Sequence, residues 1–323
     1  MTPRQHSART GLWQISLAGV LWGTGGLGVQ LIREITPMSV LTISAYRMLV
    51  AAFVLLAAAV ARRQLPGVRR LLREHPTYAV VVGVATATYQ ALYFASVVAV
   101  GVTVATVVSL GLAPVLLTIG EAVHARRRPD RGRLLVLVAA LGGLLLVGSS
   151  AGLGTTGPHP LLGVLAAIGS GTAYALATAV GRPLARSTSP LVLTTTTTTV
   201  GALVLVPLGL LSGLDAWGGS PVVPTDPGVV ALLAYLGVMT MALAYGLLYA
   251  GLRTTTGSAA VIATLLEPVT AAALATLLLD ERLGAAGIVG TALILLAVAG
   301  LGRTDRPGRT GQPQGLVATP DRQ

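Results

Sequence analysis

Two ionisable side chains stand in the middle of long apolar stretches of this sequence, Arg47 within residues 38–61 and Glu267 within residues 257–279. A charge near the centre of a hydrocarbon layer is costly unless it faces a cavity or a partner. Glu267 falls about ten residues into its stretch and Arg47 about nine, roughly 15 and 14 Å along a helix rising ~1.5 Å per residue. Both reach the middle of a core ~30 Å thick. A carboxylate and a guanidinium at one depth can hold the ammonium and carboxylate of a zwitterion, and Glu267 can also carry a proton. The alternative is a structural ion pair, or a Glu267 satisfied by the hydroxyls of Thr264 and Thr270.

Other polar groups gather in the same kind of sequence. Tyr89 and Tyr93, like Tyr245 and Tyr249, are four residues apart and share a helix face. With Gln90 and Trp22 they are candidate substrate-binding residues, the two tyrosine pairs suiting gates on either side of a central site. The competing reading makes Tyr93 and Tyr249 interfacial anchors and Trp22 a core residue. Pro114 and Pro268 each remove a helical N–H and free the carbonyls of Leu110 and Thr264, giving either a hinge with a polar lining or a static kink.

Little else is available for chemistry. Cysteine is absent, which excludes disulfides and thiolate metal sites. His6, His75, His124 and His159 fall in tails, loops or stretch ends, and arginine transfers protons poorly. Neither a catalytic set, a metal nor a cofactor is expected. Glu121 lies close to Arg126, Arg127 and Arg128, where surface pairing is the simple account.

The elements that position these residues follow from composition. Hydrophobic residues make up 53% of the chain and charged residues only 10%, against about 25% in soluble domains. Such a chain cannot clothe water-facing surfaces. With 40 glycines and 4% aromatics it suits close-packed helices rather than a barrel with aromatic girdles. Apolar runs near residues 12–32, 38–61, 76–98, 103–123, 134–150, 161–182, 190–212, 228–250, 257–279 and 285–302 predict an all-α integral membrane protein of ten transmembrane helices. The first is read as a retained helix rather than a signal peptide. Six consecutive threonines at 194–199, Gly19-x-x-x-Gly23 and Gly209-x-x-x-Gly213 are read as packing features. Residues 303–323 are expected to be a disordered cytoplasmic tail, and Trp217 an interfacial anchor.

Charge supports the count. All but Arg33, Arg47 and Arg282 of the 22 basic residues, every one an arginine, fall in the termini and alternate loops that an even number of spans places on one side. Positive charge collects in short cytoplasmic loops, so both termini are expected in the cytoplasm and the protein in the cell inner (cytoplasmic) membrane. The net charge of +11 is thereby a matter of topology, with the lipid bilayer and no nucleic acid as partner.

The chain also repeats itself. Tyr89, Leu92, Tyr93 and Gly101 match Tyr245, Leu248, Tyr249 and Gly257 at an offset of 156, and Pro114 matches Pro268 at 154. Residues 12–150 and 161–302 thus form two five-helix repeats, and an odd number of spans in each inverts the second against the first. That is an architecture of secondary transporters.

These residues resemble the drug/metabolite transporter superfamily, in particular its ten-helix EamA-type exporters. The resemblance rests on Trp22-Gly23, on Pro37 with Ala45-Tyr46-Arg47, and on Gly257, Leu266-Glu267-Pro268-Val269, Asp280-Glu281-Arg282-Leu283 and Gly290 in order. One departure is Arg127, which stands where the family's first half often has a glutamate, as Glu281 follows Pro268 in the second. The resemblance implies a secondary transporter exporting small-molecule substrates such as amino acids, related metabolites or drugs. An intramembrane enzyme, a channel and a non-transporting scaffold are the alternatives.

The absence of cysteine makes the topology directly measurable. Gly132→Cys is expected to react with an impermeant maleimide only from the side that holds both termini, and Ser220→Cys only from the other.

Overall fold

A computed structural model describes residues 3–150, 159–213, 219–278 and 284–304. The expected anchor Trp217, the segment Asp280 to Leu283 and the tail from residue 305 lie outside the described residues; residues 303 and 304, expected in the tail, instead complete the last helix.

The first half comprises α1 (Pro3–Ile35), α2 (Val40–Ala61), α3 (Leu65–Glu74), α4 (Pro76–Val100), α5 (Val102–Ala125) and α6 (Arg131–Ser150). The second comprises α7 (Pro160–Ser187), α8 (Pro190–Leu211), α9 (Pro227–Tyr235), a π-helical segment (Leu236–Leu243), α10 (Ala244–Leu252), α11 (Gly257–Thr264), α12 (Leu266–Leu278) and α13 (Ala285–Thr304). Among the described residues nine helical stretches are long and apolar enough to cross a membrane, and a shorter tenth runs from Ala285 to Leu301. The fold is therefore an all-α membrane bundle of ten spans.

Three local features differ from the sequence expectation. The loop after α2 contains α3, whose Val68 and Leu71 are buried while Arg69, Arg70 and Arg73 face outward, as befits a helix lying along the bundle end. The eighth span is α-helical at both ends and π-helical between. The ninth breaks between Thr264 and Leu266, four residues before Pro268, whereas Pro114 sits inside an unbroken α5. The two prolines match in sequence but not in local geometry.

Several starts are set by side-chain caps. Ser39 Oγ accepts from Thr42 N–H at 3.0 Å and Ser189 Oγ from Val192 N–H at 3.3 Å, so the second and seventh spans, 150 residues apart, begin alike. Asp226 caps α9 through Gly228 and Val229 N–H. Between α4 and α5 the chain reverses at Gly101 with φ 92°, a conformation only glycine adopts without strain.

Exchange of the halves preserves the neighbours. α1 packs on α10 as α7 packs on α4, α1 packs on α12 as α7 packs on α5, and α2 packs on the π-helical segment as α8 packs on α4. The pairs α2–α8, α5–α11 and α6–α13 join counterparts directly. This is the pattern of an inverted repeat. Large apolar side chains such as Trp13, Phe53, Leu203 and Leu277 cover the outside, at 73–76% exposure, while the interior mixes alanines and hydroxyls with larger side chains such as Ile15, Met48 and Leu193. In lipid this distribution leaves the packing of small residues to hold helices together.

The expected glycine contacts are present within the bundle. A Cβ on Gly19 would lie 3.1 Å from Thr264 Cα, one on Gly23 2.6 Å from Glu267 O, and one on Gly209 against Ala45. Four of the six threonines return their hydroxyls to the carbonyl four residues back, those of Pro190, Leu191, Val192 and Leu193. The approach of α6 to α13 is reciprocal: a Cβ on Gly143 would lie 2.6 Å from Gly290 O, and one on Gly290 2.6 Å from Gly143 O. Because each would strike backbone, Gly143→Ala and Gly290→Ala are expected to cost about 1–3 kcal/mol by thermal unfolding in detergent. Gly142→Ala, with nothing within 4 Å, is expected to be neutral or slightly stabilising.

Candidate functional site

A cavity of ≈ 610 Å³ opens between the halves. Its walls come from α1, α2, α4, α7, the π-helical segment, α10 and α12, and its mouth lies at the end bearing Arg33 and Glu34, both exposed. Of the residues singled out in the sequence, Trp22, Arg47, Tyr89, Gln90, Tyr93, Tyr245 and Glu267 line it. Tyr249, Pro114 and Pro268 do not. Tyr249 is buried to 2% exposure, neither a wall of the main cavity nor an interfacial anchor, and lines a separate space of ≈ 10 Å³ beneath it with Thr178 and Leu248.

The floor between the two spaces is aromatic. Trp22 meets Tyr245 edge-on with centroids 5.1 Å apart, and Tyr174 stacks on Tyr89 at 5.0 Å. These pairs are counterparts. Tyr89 and Tyr245 are related by the offset of 156, and Trp22 and Tyr174 by 152, the same spacing that relates Gly19 to Gly171. Gly171 packs on Ser109 O as Gly19 packs near Ala263 O. Tyr174 was not singled out in the sequence, although the paired glycines carried the signal. Its hydroxyl also lies 3.2 Å from Thr264 Oγ1 at the break in the ninth span.

Thr240, in the π-helical segment, is the other residue missed. Its carbonyl accepts from Trp22 Nε1 at 2.7 Å and its hydroxyl from Arg47 Nη2 at 3.0 Å, while that hydroxyl donates to Leu236 O at 2.6 Å. A π turn changes the hydrogen bonding of the backbone around it. Here the carbonyl of Thr240 faces α1 and its side chain faces α2, so one residue orients both the indole and the guanidinium.

The two charges are not consumed by each other. Among the described residues the salt bridges are Arg70–Glu74 and Arg133–Glu121, and Arg47 and Glu267 form none within 4.0 Å. Nor do the nearby hydroxyls serve Glu267: Thr264 Oγ1 donates to Val261 O and Thr270 Oγ1 to Leu266 O. In this arrangement Glu267 therefore has neither Arg47 within 4.0 Å nor either of these two hydroxyls as a donor. Arg47 Nε and both polar atoms of the Gln90 carboxamide are buried with no hydrogen-bond partner among the described residues. The hydroxyls of Ser44, Ser96, Thr199 and Thr291 are likewise without a partner among the described residues; Arg47 and Gln90 differ from them in lining the cavity, where water or a solute can supply the bonds.

A helical bundle of two inverted halves around a one-sided cavity with midplane charges has the form of a membrane transporter. The sequence profile of the EamA-like transporter family matches residues 9–149 and again residues 161–303, and the chain belongs to that family. It is 28% identical over 301 residues to the uncharacterized transporter YwfM of Bacillus subtilis (strain 168), covering 92% of this chain and 95% of that one. A solved crystal structure at 19% identity shares the fold with a TM-score of 0.74, covering 92% of this chain and 99% of the other.

Removing only the hydroxyl of Thr240 tests its role. Thr240→Val keeps the carbonyl that holds Trp22 and loses the partner of Arg47. It is expected to lower stability by about 1 kcal/mol, read as a shift in thermal unfolding, with Thr240→Ser restoring most of it.

Proposed function

We propose that the protein is a secondary transporter that exports small polar metabolites, amino acids and related zwitterions above all, by alternating access across the cytoplasmic membrane, with both termini in the cytoplasm. The observation that carries this is the pair Arg47 and Glu267. They come from opposite halves, stand on the wall of one cavity, and bond to neither each other nor the hydroxyls beside Glu267. An ammonium group would approach Glu267 and a carboxylate Arg47, with Thr240 holding the guanidinium in place. The aromatic floor of Trp22, Tyr245, Tyr89 and Tyr174 would support the rest of the solute and separate it from the far side.

Orientation is supported by the arginines. The start of α1, the end of α13 and the α2–α3, α5–α6, α7–α8 and α10–α11 connections share one end of the bundle, and nearly all the basic residues among those described lie there. The cavity mouth belongs to the opposite end, so in the state described the site faces outward. Glu267 is also the residue that would exchange a proton for solute, because it alone joins a titratable carboxylate to the cavity at mid-depth.

A panel of labelled amino acids and metabolites, followed in export from overproducing cells and in saturable counterflow in proteoliposomes, is expected to show carrier behaviour. Glu267→Gln keeps the shape of the side chain and removes its charge; it should insert normally yet abolish flux or erase its dependence on pH. Full export with an unchanged pH profile in that variant would remove Glu267 from the mechanism.

A further inference from the structure

The opposite end of the bundle, where the arginines cluster, is closed by a second group of polar side chains that the cavity does not include. Glu121 stands one turn before the end of α5. Its Oε2 accepts from Ser258 Oγ at 2.6 Å and its Oε1 from Ser258 N–H at 3.1 Å. Arg133 at the start of α6 places Nη2 3.3 Å from Glu121 Oε2 and donates from it to Thr256 Oγ1 at 3.0 Å. Thr256 is the cap of α11, accepting from Ala259 N–H at 3.3 Å. The surface pairing with Arg126, Arg127 and Arg128 expected from sequence is therefore corrected: all three arginines are exposed at the helix end, and the partners of Glu121 are Arg133 on the next helix and Ser258 of the other half.

This cluster fastens the first half to the second. Glu121 and Arg133 belong to one repeat, and Ser258 and Thr256 to the other, so the end cannot open between α5 and α11 without breaking these bonds. Hydrogen bonds with one ionised partner are about twice as strong as neutral ones. The side chains of Arg133 and Glu121 are only 26% and 21% exposed, so water replaces the bonds poorly.

Inversion makes the comparison with the other end direct. At the register of Pro114 and Pro268, Glu121 corresponds to Ala275 and Ser258 to Val104; at the register of Gly101 and Gly257, Ser258 corresponds to Val102. In either register a methyl or isopropyl group replaces a partner. Among the described residues the end bearing the mouth of the main cavity has no copy of the Glu121–Ser258 pair.

We infer that Glu121, held by Ser258 and Arg133, is a latch on the arginine-rich end that must release for that end to open and that biases the resting protein toward the state open at the Arg33 end. This rests on the alternating-access reading above. Release would come with solute bound, when closure around it compensates for the lost bonds.

The cysteine-free chain allows a direct test. Val97→Cys places a thiol on the wall of the main cavity and Ala177→Cys one in the small space beneath the aromatic floor. An impermeant maleimide is applied to right-side-out and inside-out vesicles carrying each, with Glu121 intact, with Glu121→Ala and with Ser258→Ala. The expected result is severalfold slower labelling at position 97 from the Arg33 side and severalfold faster labelling at position 177 from the arginine-rich side in both latch variants. Glu121→Gln, which keeps an acceptor for Ser258, should fall between. Correctly inserted Glu121→Ala and Ser258→Ala proteins that label at parental rates at both positions would overturn the latch while leaving alternating access intact. If position 177 is never reached from the arginine-rich side, in any variant and during export, alternating access itself fails and the latch with it.

Discussion

Hydrocarbon offers no hydrogen bonds, and this single property of the solvent governs the arrangement of the whole molecule. Arg47 and Glu267 cannot meet lipid, so helices must surround them, and the surrounding helices must approach closely enough to leave no gap. The small residues supply that approach: Gly19 and Gly23 bring α1 against the ninth span beside Glu267, and Gly237 lies against Val50 of α2 next to Arg47. The charges and the glycines are thus two sides of one constraint. Remove the close packing and the charges lose their enclosure; remove the charges and the enclosure has nothing to protect.

Membrane spans, their number and the segregation of arginine could be read from the chain because each is a property of contiguous residues. The inverted repeat was visible for a similar reason, since Tyr89, Tyr93 and Gly101 keep their spacing in the second half. Most of the cavity followed, because a charged or aromatic residue in mid-span has few places to go. α3 escaped notice because Leu65 to Glu74 is too short and too charged to resemble a span, although Val68 and Leu71 lie one turn apart. The π-helical segment could not have been read at all. Nothing local to Leu236–Leu243 demands it, and Trp22, Arg47 and Val50, which press on it, are about 190 residues or more away. Glu121 was misjudged by proximity: three arginines follow it closely in sequence, but the helix ends there and turns them outward.

Near symmetry with local exceptions is the theme of the interior. Trp22 with Tyr245 repeats Tyr174 with Tyr89, Ser39 repeats Ser189, and Gly143 meets Gly290 reciprocally. Against that background the unmatched residues stand out. Glu267 corresponds to Ala113 and Gln90 to Gly246 at the offsets that relate their neighbours. Duplication supplies two copies of a framework, and substitution within one copy creates polarity where an exact dimer would have required every charge to face its own twin. The zwitterionic solute proposed above, itself unlike at its two ends, would match such a site.

The π-helical segment gives the eighth span something its counterpart α4 does not have. A π turn accommodates one more residue than an α turn, so the helix beyond it is turned about its axis relative to the helix before it. The ends of the span are anchored, here by Asp226 at one end and by the packing of Gly251 against Gly11 at the other. Between fixed ends, the extra residue gives Thr240 and Tyr245 a rotational setting that an unbroken α-helix would not give them.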